Sequence, residues 1–504
     1  MNGYLAIILT GHVPYRRAAG REPTGEDQLH EAIVQSIIPI LNALYDLREL
    51  GIRPYVGLAY SPLLLEQLAD NVVQKHCFVW MERRLEQITV AMNQWQQSGE
   101  QHRAYLARFY LEWGYGLLKS FQGRYNRNLV AALRELCAEG VAEPLSGAAT
   151  HAYLPLLESA AARRAQIDVG ALATTRLLGT PPRGLWLPEC GYTPALEPLV
   201  RPSGLNYLIV DPSSVAHTNV PYLRPRWLAA RQLAVLVRDP EAATQVMAPE
   251  LGYVGDPLYR AARREQHSGL ALWRTGLAAT ATELYDPYDA FRRAQEHAVH
   301  FSSFIAAELE QFRMQHDRPG IAVVPLDMDV LGCGWFEGPT WLRAMIEAFN
   351  TQPRVALTTF SAYLGTVRPR FGVTLRDGSW AADAYHHLWS LPAARRLQWI
   401  LAEVAEQLAM LVQRYPNAEG ERDRVLAQAV RELLLAQSSD WIVQLAESPG
   451  EAALERPMEH LRRCKRLCHM AQMAELSDEE RTFLEKIEEW DNPFPMLNYR
   501  VFAA

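Results

Sequence analysis

The stretch YLAIILTGH (4–12) runs six apolar residues into Thr10, Gly11 and His12, and IAVVPLDMD (321–329) repeats the pattern, ending on Asp327 and Asp329. An apolar run without alternation suits a strand covered on both faces, as in a parallel α/β sheet. Working outward, GLWLPE (184–189), YLIVDPSS (207–214) and VALTTFSAY (355–363) have the same form. Between them lie segments such as LHEAIVQSIIPILNALYDLRELG (29–51), whose spacing predicts an amphipathic helix closed by Gly51. Alternation of this kind over about 370 residues predicts a (β/α) barrel or an open doubly wound sheet. No GxGxxG follows the first strand, which counts against a dinucleotide-binding sheet.

Two regions depart from the alternation. Residues from about 65 to 137 read as almost wholly helical, a helical insertion in the barrel. Beyond GSW (378–380) helical periodicity takes over from 392 to 490, with turn signals at RYPNAEG (414–420) and ESPGE (447–451). The expected organisation is therefore a barrel over 1–375 and a C-terminal helical bundle over 376–504.

Composition narrows the function classes. A formal net charge of −7 with no long basic run argues against nucleic acid as a partner. No stretch approaches the ~20 apolar residues of a membrane span, and the N-terminus lacks the features of a signal peptide. The six cysteines are scattered, apart from Cys464 and Cys468, which fits a reduced, cytoplasmic setting better than a disulfide scaffold. There is no GxSxG elbow and no HExxH pair, so neither a serine hydrolase nor a metal centre is expected.

In a (β/α) barrel the chemistry sits where strands end. The polar residues closing the apolar runs are His12, Glu189, Asp211, Asp327 and Asp329, with His151 after SGAAT. Glu189 stands between a Trp and a Tyr, where desolvation tunes a carboxylate. Two carboxylates on opposed strand ends are what glycosidic bond chemistry requires. The alternative at each position is an N-cap for the following helix or, for the histidines, a hydrogen-bonded core residue.

Taken together, several strings resemble glycoside hydrolase family 57, and within it the α-1,4-glucan branching enzymes. GHVPY (11–15), ATHAYLPLL (149–157), WLPECGY (186–192), PLDMDVLG (325–332) with WFEGPTWL (335–342), and AQSSDW (436–441) resemble the five family regions in order. The resemblance implies an α/β fold, an incomplete (β/α)7 TIM-like barrel, with Glu189 as nucleophile and Asp327 as acid/base. It implies a retaining mechanism on an α-1,4-glucan, with no cofactor. His12 and His151 would bind the sugar, and Trp186, Trp273, Trp335, Asp440 and Trp441 would line the glucan's path.

The chain also departs from the family pattern. Thr10 stands where a first histidine is usual, and Leu331 to Trp335 replace a Phe-Gly-His-Trp-Trp run. AADAYHH (381–387) replaces a glycine-rich acidic stretch, and the segment between Pro221 and Arg238 is short where branching members carry a lid. Three readings follow: a branching transferase, another retaining α-glucan enzyme (hydrolytic or disproportionating), and a non-catalytic glycan binder.

Overall fold

The computed structural model describes residues 1–17, 25–218, 220–276, 282–380, 388–447, 450 and 452–503. Strand β1 (Gly3–Gly11) is the centre of a sheet to which β2 (Val56–Tyr60), β3 (Ala142–Ser146), β4 (Gly184–Trp186) and β5 (Tyr207–Val210) add in turn. Strand β6 (Arg226–Leu228) runs antiparallel to β7 (Leu233–Val237), which pairs in parallel with β5. Strand β8 (Gly320–Asp327) lies along the other edge of β1, and β9 (Val355–Leu357) and β10 (Phe371–Gly372) are short additions beside β1 and β6. The order β7-β5-β4-β3-β2-β1-β8 is thus a run of seven parallel strands. Asp239, just past β7, donates its backbone N–H to the Val323 carbonyl of β8 at 2.7 Å, a sparse bond across the seam.

Period-two geometry sorts the side chains. Ala6 and Ile8 of β1, Ile321 and Val323 of β8, Ile209 of β5 and Leu236 of β7 share the inner core, which Phe360 and Tyr363 also enter. Leu5, Ile7 and Leu9 face outward into a larger core with the helices Ile38–Glu49, Pro287–His316 and Gly338–Thr351. Each such fully buried side chain contributes about 1.5–3 kcal/mol. In the β1–β8 register Thr10 is the partner of Asp327, so the inward phase of both strands delivers these two residues to the barrel mouth.

The run VALTTFSAY differs from its expectation. Only Val355–Leu357 is strand; Thr359 accepts a hydrogen bond from the Ala362 N–H and caps a helix, Phe360–Thr366, whose Phe360 and Tyr363 enter the barrel. The insertion contains the helices Asn71–Ser98 and Gln101–Lys119, turned at Gly99 in the left-handed region. The C-terminal helices Pro392–Arg414, Glu421–Ala436, Asp440–Glu447 and Ala452–Met470 share a core with Ala160–Leu178 of the barrel layer.

Candidate active site

A pocket opens at the C-terminal ends of β1, β4 and β8, lined by His12, His151, Trp186, Glu189, Asp327, Asp329, Trp380, Ser439 and Asp440 among others. Glu189 leaves β4 through a 3-10 turn in which it has φ 55° and Cys190 φ 48°, and His151 has φ 57°. Non-glycine residues in the left-handed region cost of order 1–3 kcal/mol each and persist where surrounding structure holds them. Here the holding contacts are visible. Trp380 donates its indole N–H to Glu189 Oε2 at 2.7 Å and its backbone N–H to the Glu189 carbonyl at 3.2 Å. The Trp186 ring meets Trp380 edge-on, with centroids 5.8 Å apart.

Asp327 accepts from both sides. Thr10 Oγ1 donates to one carboxylate oxygen at 3.2 Å, and the Asp329 N–H donates to the other at 2.7 Å. The loop that follows is pinned from below. Ser36, in a π turn spanning Ile33–Ile37, donates to the Met328 and Leu331 carbonyls. Gly332 adopts φ 115° there, and a Cβ on it would come within 2.1 Å of the Gln35 carbonyl oxygen.

The two histidines are stacked, with ring centroids 4.2 Å apart and planes 9° from parallel. His12 bonds Ser61 Oγ through Nδ1 and Asp440 Oδ2 through Nε2, both at 2.7 Å. His151 Nδ1 meets Ser439 Oγ at 3.0 Å, and Ser438 donates to Asp440. The helix Asp440–Glu447 thus reaches the barrel mouth through residues 438–440.

Electrostatics separates the carboxylates. Burial raises Glu189, partly opposed by the Trp380 bond. Burial also raises Asp327, opposed by the Asp329 N–H and Thr10. Asp329, at the pocket mouth, is pushed up to about 7 by surrounding protein and by the neighbouring Asp327 charge. Burial would raise Asp440 too, yet His12 at contact distance outweighs it and the group sits at about 2. Burial and His12 take His151 down to about 3, so its ring is neutral in the ordinary working range. The arrangement offers two buried carboxyl groups, each raised by burial and each held by its own hydrogen bonds, beside a fixed polar wall.

Of the residues expected from the sequence, Glu189, Asp327, His12, His151, Trp186 and Asp440 come together here. Three expected glucan contacts do not line this pocket. Trp335 is 1% exposed and packs on Tyr259 and Trp341, because the Leu331–Trp335 turn folds its indole inward. Trp441 is 2% exposed; its indole N–H bonds the Leu435 carbonyl, so the side chain anchors its helix from behind. Trp273 bridges to Leu284, one face covered by the Arg263 guanidinium, 4.3 Å from the ring centroid. Asp211 caps a 3-10 turn and pairs with Arg238, the structural alternative for a strand-end carboxylate. Residues 381–387, with His386 and His387, lie outside the described residues.

Sequence reasoning missed Ser61, Ser439 and Trp380. GSW (378–380) marked the end of the barrel, but an indole remote in sequence gives no sign of its partner.

The family model for glycosyl hydrolase family 57 matches residues 6–372, and that for the 1,4-alpha-glucan branching enzyme C-terminal region matches 400–502. The 1,4-alpha-glucan branching enzyme of Thermococcus kodakarensis is 32% identical over 98% of this chain and 78% of its own length. The branching enzyme structure from Pyrococcus horikoshii superposes with a TM-score of 0.92 at 32% identity, covering 100% of this chain and 97% of that one. The α-amylase AmyC structure from Thermotoga maritima does so with 0.87 at 27% identity, covering 100% and 99%. A match over most of the barrel, carrying the carboxylates that face one pocket, leaves one assignment: the chain belongs to glycosyl hydrolase family 57.

Proposed function

We propose that this protein is a retaining α-1,4-glucan branching enzyme, with Glu189 as nucleophile and Asp327 as acid/base. The observation that carries the reading is the meeting of these two carboxyl groups at one barrel mouth, in a chain similar throughout to branching enzymes. Glu189 attacks the anomeric carbon while the glycosidic C–O bond breaks and the leaving oxygen takes the Asp327 proton. Asp327, now ionised, removes the proton from the 6-hydroxyl of an acceptor chain, and that oxygen displaces Glu189 from the same carbon. Two inversions give retention, which requires the carboxyls about 5–5.5 Å apart. Burial raises both carboxyls and so favours a proton on Asp327; at Glu189 the Trp380 N–H opposes that rise by bonding the carboxylate the nucleophile needs. Neutral His151 and the Ser61–His12–Asp440 chain hold sugar hydroxyls.

The segment 376–504 acts as a second domain that contributes Asp440 to the cleft. Six cysteines without a disulfide suit a cytoplasmic enzyme; among the described residues no helix is long and apolar enough to cross a membrane.

A second reading, hydrolysis, draws on the rim. Cys333 and Gly334 replace the usual polar and indole side chains, and 221–238 folds into the β6–β7 hairpin. Transfer wins over water, at about 55 M, only where an acceptor is held in place. Incubation with amylose, scoring α-1,6 branch points beside new reducing ends, decides. Branches accompanied by appreciable reducing ends are expected. Reducing ends alone would make it a hydrolase, and neither product would leave a glycan binder.

A further inference from the structure

The short helix Glu26–Ala32 borders two depressions. Gln28 lines the carboxylate pocket, and Asp27 and Glu31 line a neighbouring bay. Residues three apart on a helix are neighbours, about 5–6 Å between Cβ atoms, so pocket and bay share a wall one turn thick.

The bay has an outer part and an inner slot, which share Glu31, Trp80, Arg84, Arg264 and Gly269. Trp80 and Trp113 give the slot broad aromatic walls. The polar groups are pre-set by their own bonds. Arg264 and Gln35 both donate to Glu31, Arg260 donates to Gln35 at 2.9 Å, and Arg84 donates to the Ser268 and Gly269 carbonyls at 2.7 Å. Opposite charges are mixed here (Asp27 and Glu31 against Arg83, Arg84 and Arg264), so the bay does not select a polyanion. Flat apolar faces beside fixed planar donors and acceptors match a neutral sugar chain, whose rings present C–H faces and hydroxyl edges. The π turn at Ile33–Ile37 supplies Val34 and Gln35 to the slot and Ser36 to the Asp327 loop, so one irregularity serves both sites.

We infer that this bay is a remote subsite that holds a second stretch of the α-glucan whose reacting stretch occupies the carboxylate pocket. The inference rests on the α-glucan reading above.

The test uses the full chain. Trp80→Ala should raise KM for amylose about five- to tenfold, as the loss of one stacking face does, with kcat and KM for maltotetraose within twofold of wild type. Arg264→Ala, at a half-exposed position, should act in the same direction and covers the case in which Trp80→Ala fails to fold. An unchanged amylose KM in a folded variant overturns the proposal. Affinity electrophoresis in amylose gels then separates the two levels. If Glu189→Gln is retarded equally with and without Trp80, the bay is not a glucan site. If Glu189→Gln is not retarded at all, the α-glucan reading itself fails.

Discussion

Two of the clusters that join histidine to carboxylates in this molecule differ in every other respect. At the barrel mouth His12 and His151 meet Asp440 beside Glu189 and Asp327, on backbone held in the left-handed region at His151 and Glu189. Within the C-terminal helices His460 bonds Glu432 at 2.7 Å and lies 3.7 Å from Asp491, whose carboxylate also takes Arg463. That second cluster sits on two helices and the C-cap of a third, is buried and is closed by its own cation; Gln428 satisfies the other Glu432 oxygen. By donor geometry alone the second would pass as a metal site. What distinguishes them is an opening and backbone strain at the first, and complete mutual satisfaction at the second. The lesson is that a polar cluster becomes a site when its partners leave something for a substrate to complete.

Substitutions can break or sharpen that contrast. The largest effect is expected from Glu189→Gln, which keeps the side chain's shape and removes the nucleophile. Turnover on amylose should fall by about 10³-fold or more, with thermal unfolding nearly unchanged. If wild type and variant share the same trace activity, the first cluster is no more catalytic than the second. Next comes a matched pair of histidines. His460→Ala leaves buried carboxylates without their partner and should cost about 3–5 kcal/mol of stability, with little loss of activity in the molecules that remain folded. His12→Ala should do the reverse and lower kcat about 100-fold or more with a smaller stability loss. Similar outcomes for the two would erase the distinction.

Proton linkage sets them apart again. Burial would lower His460, but the Glu432 bond and the Asp491 charge outweigh it and raise the group above its ordinary value. The resulting stabilisation is fully present below about pH 6.5 and is lost as pH rises through the raised value. Chemical denaturation across that window should show the decline in wild type and a flatter curve in His460→Ala. The smallest effect is expected from Asp329→Asn. Asp327 and Asp329 oppose each other's ionisation, so removing one charge should move the alkaline limb of kcat/KM to lower pH by less than about one unit. No movement would show that Asp329 does not bear on the acid/base group.

Much of this was legible in the chain before any coordinates. Unbroken apolar runs announced β1, β4, β5 and β8, and the polar residues that ended them included both catalytic candidates. Strand β3, AEPLS, was not legible, because Glu143 and Pro144 interrupt its apolar character. Its Glu143 accepts from Tyr207 and Ser361 in the barrel interior, a satisfaction that only the fold reveals. Phe360–Thr366 looked like a continued strand because a plug for the barrel must be as apolar as a strand inside it. In the site, strand-end carboxylates were readable from position. The contacts that tune them, Trp380 on Glu189 and Asp440 on His12, span 191 and 428 residues and leave no local trace. Trp335 and Trp441 were misplaced for the converse reason: sequence locates an indole beside a motif but not which way it turns.

The central claim is that Glu189 forms a covalent bond to the sugar. Reaction with a 5-fluoro-α-glucosyl fluoride, followed by proteolysis and mass spectrometry, tests it most directly. The fluorine slows both steps by destabilising the oxocarbenium-like transition state, while the fluoride leaving group favours the first, so the intermediate accumulates. The expected result is one added hexosyl unit on the peptide containing Glu189, lost on incubation with maltooligosaccharide and absent in Glu189→Gln. An adduct on Asp327 or Asp329, or full turnover of amylose by a protein that forms no adduct under any of these conditions, would contradict it.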